Sequence, residues 1–241
     1  MEVHWLEQIE ADVPAENAWL SAGEIARLNG MRIAKRRNDW RLGRWTAKRA
    51  LASYLNLPAH PHVFRRIEIR PASSGAPEAF LANKPAAVTV SLSHGAGRAI
   101  CAVASAGLEL GCDLEVIEPR SEAFLSDYFT AEEQALVARA PATDRARLST
   151  LLWSAKESAL KALHTGLRLD TRSVIASLDD TAFDLNGWSR LQVRYTGGRI
   201  FHGWWQHVDN IMRTVVANSL PDSPIPLKIP VYFSDSASVC T

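Results

Sequence analysis

The stretch Gly111-Cys112-Asp113-Leu114-Glu115 puts two carboxylates two residues apart inside an apolar run. As a strand, that run aims both acids at one face of a sheet. Whatever covers that face has to supply a hard cation or a proton to share. A third carboxylate follows in Trp153-Ser154-Ala155-Lys156-Glu157-Ser158-Ala159-Leu160-Lys161. Trp153, Glu157 and Lys161 recur at i, i+4 and i+8, so on a helix they share one face that drifts by about 40° per step. Three carboxylates without nitrogen donors favour Mg²⁺ or Mn²⁺ over zinc. The expectation is a Mg²⁺ site made where strand and helix meet, with Mn²⁺ possible. On spacing alone, a surface Glu157–Lys161 ion pair also fits.

The chain has 241 residues, enough for one large domain or two modest ones. With 47% apolar and 22% charged residues it reads as a globular protein, and a net charge of +1 argues against a polyelectrolyte binder. Charge is nevertheless uneven: from Arg27 to Arg49 nine Lys/Arg face the single acid Asp39, a local surface suited to phosphate or an acidic partner. A nucleic-acid partner would rest on that cluster alone, and none of the usual motifs accompanies it. Cys101, Cys112 and Cys240 have no zinc-site spacing and read as reduced thiols. The N-terminus lacks a charged-then-apolar leader, and no apolar run reaches the ~18 residues of a membrane span. The expected setting is cytoplasmic, without membrane contact.

Ser21 with Glu24 predicts a capped helix. A longer helix is predicted over about Arg32–Leu55, with Ile33, Trp40, Gly43, Ala47, Leu51 and Leu55 inward. Lys35, Arg36, Arg37, Arg41, Lys48 and Arg49 are left on its other, solvated face. Strands are predicted at 63–70, 86–92, 99–104 and 108–116, and again at 172–178, 191–195, 199–207 and 211–217. Residues 71–77 read as a turn-rich loop, 93–97 as a tight loop, and Gly197-Gly198 as a hairpin turn. His60 and His62 share a Pro-flanked loop without a third ligand. Thr130 to Glu133 is a capping box, and helices follow at 131–139 and about 144–164, the second stopped by Gly166. The order helix, strand, loop, strand occurs on both sides of about residue 108, which suggests an internal repeat. The expected division is an N-terminal half, 1–108, a C-terminal half with the acids, 109–220, and an extended tail, 221–241.

Taken together, Ser91-Leu92-Ser93-His94, Gly111 to Glu115 and Trp153 to Lys161 resemble the 4′-phosphopantetheinyl transferases, in the order and spacing of their larger, single-chain branch. The resemblance spans roughly 20–220. It implies an α+β fold of two similar halves, a pseudo-dimer with the active site between them, for which a monomer suffices. It implies CoA as substrate, a Mg²⁺ ion, and an apo acyl or peptidyl carrier protein whose serine is modified with release of 3′,5′-ADP. Such carriers serve fatty-acid or secondary-metabolite synthesis. Asp113, Glu115 and Glu157 match the metal-binding acids. Glu157 also matches the proposed base, and Lys161 the residue that assists pyrophosphate cleavage. Ser93 and His94 match contacts to the CoA phosphates, and Arg27 and Arg70 fall near basic positions that hold phosphate. One departure is present: where the family often has Gly-Lys-Pro, this chain has Gly75-Ala76-Pro77, which leaves that phosphate contact to Lys84 or Arg70. A second reading is a CoA- or nucleotide-binding module of the same fold without turnover.

Overall fold

The short polar side chains at Ser21 and Thr130 start helices, and the glutamates three residues on complete both capping boxes. Around these helices a computed structural model describes residues 2–183, 187–219, 222–229 and 232. The chain forms two units, one of His4–Ala106 with the described part of 225–241, the other essentially Gly107–Pro224.

The N-terminal unit contains β1 (His4–Ile9), α1 (Ala22–Asn29), α2 (Ala34–Tyr54), a single turn α3 (Pro61–Phe64), β2 (Ile67–Pro71), β3 (Pro77–Leu81), β4 (Lys84–Pro85), β5 (Val88–Gly95) and β6 (Arg98–Ser105). Strand β6 lies antiparallel between β1 and β5, while β2, β3 and β4 make a separate three-stranded sheet. The C-terminal unit contains β7 (Leu110–Val116), α4 (Glu122–Tyr128), α5 (Ala131–Arg139), α6 (Ala142–Ala162), β8 (Val174–Phe183), β9 (Ser189–Tyr195), β10 (Ile200–Val208) and β11 (Ile211–Ala217). Its five strands form one antiparallel sheet in the order β7-β11-β10-β9-β8. The chain then returns to the N-terminal unit, where β12 (Ile225–Pro226) pairs parallel with β1. The architecture is α+β with a sheet in each unit. Among the described residues no helix is long and apolar enough to cross a membrane.

The repeat suggested by element order is visible in the two long helices. Each has 21 residues and carries a fully buried lysine, Lys48 in α2 and Lys156 in α6. Each lysine pairs with the capping-box glutamate of the preceding helix, Glu24 or Glu133, and donates to two backbone carbonyls, those of Trp19 and Phe64 or of Thr171 and Val174. Set on these lysines, Trp45-Thr46-Ala47-Lys48 overlies Trp153-Ser154-Ala155-Lys156. The helix ends coincide as well. Asn56 (φ 53°) and His164 (φ 57°) take the left-handed conformation, and the Leu57 and Thr165 N–H groups donate to Ala52 O and Leu160 O, the bond pattern of one C-terminal cap used twice.

Several expectations change. Lys48 is not on a solvated face but inside the core, whereas Ile33 is 63% exposed. Gly43, Ala47 and Leu51 of the expected inward stripe are buried, and Lys48 joins them because its Glu24 partner admits a charge inside. Residues 61–64 form a helical turn, since Pro61 presets its first position, and the strand expected at 63–70 begins at Ile67. Ser93 and His94 belong to β5, not to a loop; the ladder with β6 continues to Gly95–Arg98 and the turn is Ala96-Gly97. Strands β3 and β4 have no counterpart in the periodicity analysis. His164, not Gly166, terminates α6. Of the tail expected over 221–241, Leu227 and Tyr232 pack against the N-terminal core; 221, 230, 231 and 233–241, with Cys240, lie outside the described residues.

Candidate active site

Asp113 and Glu115 project from β7, and Glu157 and Lys161 from α6. Gly111 lets these elements meet: a Cβ there would lie 1.8 Å from the Ser158 carbonyl oxygen. Thr214 of β11, opposite Asp113 in the ladder, fixes the helix in register. Its hydroxyl bonds Ser154 Oγ at 2.9 Å and Ser158 Oγ at 2.7 Å, and donates to Ser154 O.

Lys161 Nζ donates to Asp113 Oδ1 at 2.6 Å and to Cys112 O at 3.0 Å. Asp113 is only 3% exposed. Glu115 is held on both oxygens: Oε1 accepts from Trp153 Nε1 at 3.1 Å and Oε2 from Arg120 Nη2 at 2.8 Å. Glu157 Oε1 is buried and has no hydrogen-bond partner among the described residues. Burial, then the negative charges of Asp113 and Glu115, push the Glu157 carboxyl up to about 7 against the pull of Lys161. Glu115 is also raised, by burial first and Asp113 second, while Arg120 and Trp153 work the other way. Burial would lower Lys161, but Asp113, with Cys112 and Glu157, more than offsets it, and the ammonium is held above its ordinary value.

The donor set suits a hard cation: three carboxylates close enough to feel one another, one with a buried unpaired oxygen. Among the described residues no three acidic, His or Cys side chains form a ready-made metal cage. Asp113 and Glu115 are turned to Lys161 and Arg120 instead. Acids, lysine and helix thus come together in one unit as the spacing predicts. Sequence reasoning missed Arg120 and the Trp153 N–H; the one available signal for the first is a cation following Pro119 just beyond the acid strand.

The other expected residues belong to the N-terminal unit. Ser93 is half-buried and His94 exposed on β5. Arg27 is exposed in the last turn of α1, and its charge helps to lower Arg44, whose burial is the larger cause and which falls to about 10. Arg70 donates to Glu68 Oε2 and Asn83 Oδ1 and lies over the Phe80 ring at 4.3 Å. Gly75, with φ 90°, turns the chain between β2 and β3, and Lys84 is exposed on β4.

A helix seated on an antiparallel sheet, with three acids and a lysine at the seam, defines a site for handling charged oxygen groups. Residues 109–219 match the 4'-phosphopantetheinyl transferase superfamily. The chain is 28% identical over 172 residues to the 4'-phosphopantetheinyl transferase HetI of Nostoc sp. (strain PCC 7120 / SAG 25.82 / UTEX 2576), covering 69% of this chain and 70% of that protein. It also resembles the solved holo-(acyl-carrier-protein) synthase from Bacillus anthracis str. Ames in complex with CoA (3',5'-ADP), at 20% identity and a TM-score of 0.36, over 42% of this chain and 92% of that one.

Proposed function

We propose that the chain transfers 4′-phosphopantetheine from CoA to a serine hydroxyl of an apo carrier protein, with Glu157 and Lys161 as the catalytic pair. The observation that carries this reading is the meeting of Glu157 and Lys161 of α6 with Asp113 and Glu115 of β7, where Lys161 Nζ lies 2.6 Å from Asp113 Oδ1 and burial beside two acids raises the metal-free Glu157 carboxyl to about 7. A carboxylate poised there can accept the serine proton near neutral pH. The serine oxygen forms a bond to the β-phosphorus, the bond from that phosphorus to the bridging oxygen breaks, and 3′,5′-ADP leaves with the electron pair. Lys161, kept charged by Asp113, donates N–H to the oxygens where negative charge accumulates. Asp113, Glu115 and Glu157 would hold Mg²⁺, or Mn²⁺ in its place, whose chemistry is to neutralise pyrophosphate charge. Little covalent chemistry is asked of the protein beyond positioning and charge.

Ser93, His94, Arg27 and Arg70 are the residues assigned to CoA phosphates. Arg70 serves without displacing structure only if CoA takes over from Asn83 as its partner. The single-chain form and the division 1–108, 109–220 and tail fit a monomer that carries all these groups. The test is incubation with an apo carrier protein, CoA and Mg²⁺. A phosphopantetheine mass increment on the carrier is expected, and its absence across a panel of acyl and peptidyl carriers would refute the reading.

A further inference from the structure

We propose that Arg120 is an internal cation that occupies Glu115 when no divalent ion is bound and yields it when one arrives. The inference rests on the metal reading above. The two oxygens of Glu115 are held by different kinds of donor. On Oε1 sits a neutral indole N–H, from Trp153 at 3.1 Å. On Oε2 sits a guanidinium, from Arg120 at 2.8 Å. Each carboxylate oxygen has two lone pairs, so a neutral N–H on one of them is compatible with metal ligation. A guanidinium on the same carboxylate opposes ligation, because it places a second cation beside the ion, where like charges repel.

Arginine does not lose its proton in proteins, so Arg120 has to move rather than neutralise. The structure provides a place for it to go. Arg120 Nη1 already lies 3.3 Å from Glu118 Oε1, and Glu118 is 58% exposed. The guanidinium rests over the Phe124 ring at 5.0 Å, and Phe124 packs edge-on against Trp153 at 5.0 Å. Sliding from Glu115 toward Glu118 keeps an anionic partner throughout. Trp153 holds the carboxylate in place during the exchange. The chain thus supplies a cation for each acid of β7, Lys161 for Asp113 and Arg120 for Glu115. Only Arg120 is free of an assigned chemical task.

The experiment titrates Mn²⁺ into the full chain with and without CoA, following free Mn²⁺ by electron paramagnetic resonance. Arg120→Met should bind Mn²⁺ about tenfold more tightly than wild type, the scale on which groups behind metal ligands act. Arg120→Lys, which restores the charge, should return affinity toward wild type. Metal-free Arg120→Met should melt below wild type, and saturating Mn²⁺ should close that gap. Unchanged or weaker Mn²⁺ binding by Arg120→Met overturns the proposal, and shows an arginine that only supports the fold. Wild type that takes up no Mn²⁺ even with CoA overturns the metal reading itself, and this proposal with it.

Discussion

Helices α2 and α6 share their length, their buried lysine, their capping-box partner and their C-terminal cap, yet only α6 carries the carboxylate and lysine proposed for catalysis. The difference lies in residues the shared scaffold leaves free. In register with Glu157 the N-terminal unit has Arg49, and in register with Lys161 it has Ser53. Trp45 and Trp153 both anchor a core, but Trp153 Nε1 donates to Glu115 whereas Trp45 Nε1 is buried without a hydrogen-bond partner among the described residues. The lesson is that Trp, Thr/Ser, Ala and Lys belong to the architecture, and the positions just outward of them decide what a unit does.

The sharpest way to break this comparison is at the paired positions. Glu157→Ala should lower kcat by about 10³-fold or more, since a base and a ligand are lost together, whereas Arg49→Ala should leave turnover near wild type. Comparable losses in a mass-increment assay would mean that both units carry catalytic groups.

Next come the buried lysines. Lys48→Met and Lys156→Met each leave a glutamate buried without its partner and should cost about 3–5 kcal/mol by denaturant unfolding. Equal costs would mark one scaffold used twice; a large inequality would show that one unit tolerates the stranded acid.

A smaller effect is expected from pH. The metal-free native state holds the Glu157 proton up to about 7, whereas the unfolded chain releases it near the ordinary glutamate value. Between these limits the native state binds more protons, so stability falls as pH rises through that window. Glu115, raised as well, adds in the same direction. Glu157→Gln should remove on the order of 2–3 kcal/mol of that decline, read from urea midpoints across pH 4.5–7.5. A wild-type profile that is flat or rising there would show that the acids are not forced together.

Smallest is the tryptophan pair. Trp153→Phe keeps the ring but removes the N–H, and should cost about 1 kcal/mol more than the same change at Trp45. Thermal melts of the two variants check it, and equal costs would reduce the Glu115 contact to packing.

Much of this was legible in the chain itself. The capping boxes at Ser21 and Thr130, both long helices and the hairpin at Gly197-Gly198 follow from local rules of spacing and turn chemistry. So does the sharing of one face by Glu157 and Lys161. Ser93 and His94 were misread as a loop because a following glycine pair signals a turn but not where a ladder stops. Lys48 was misread because a lysine on an arginine-rich face carries no local mark of burial; its partner Glu24 lies on another helix. Element order suggests the repeat, but its residue-level match is hidden for the same reason, since Trp-Thr-Ala-Lys and Trp-Ser-Ala-Lys become equivalent only once their lysines are seen in equivalent places.

The sequence by itself determined the long helices and most of the strands, and that Asp113 with Glu115 and Glu157 with Lys161 each share a face, because these depend on periodicities of two and 3.6 residues. Only the tertiary structure decided that Gly111 lets β7 and α6 touch, that Arg120 and Trp153 divide Glu115 between them, and that Glu157 is driven to about 7. Those outcomes depend on distances between residues far apart in the chain, and on the removal of water from the space between them.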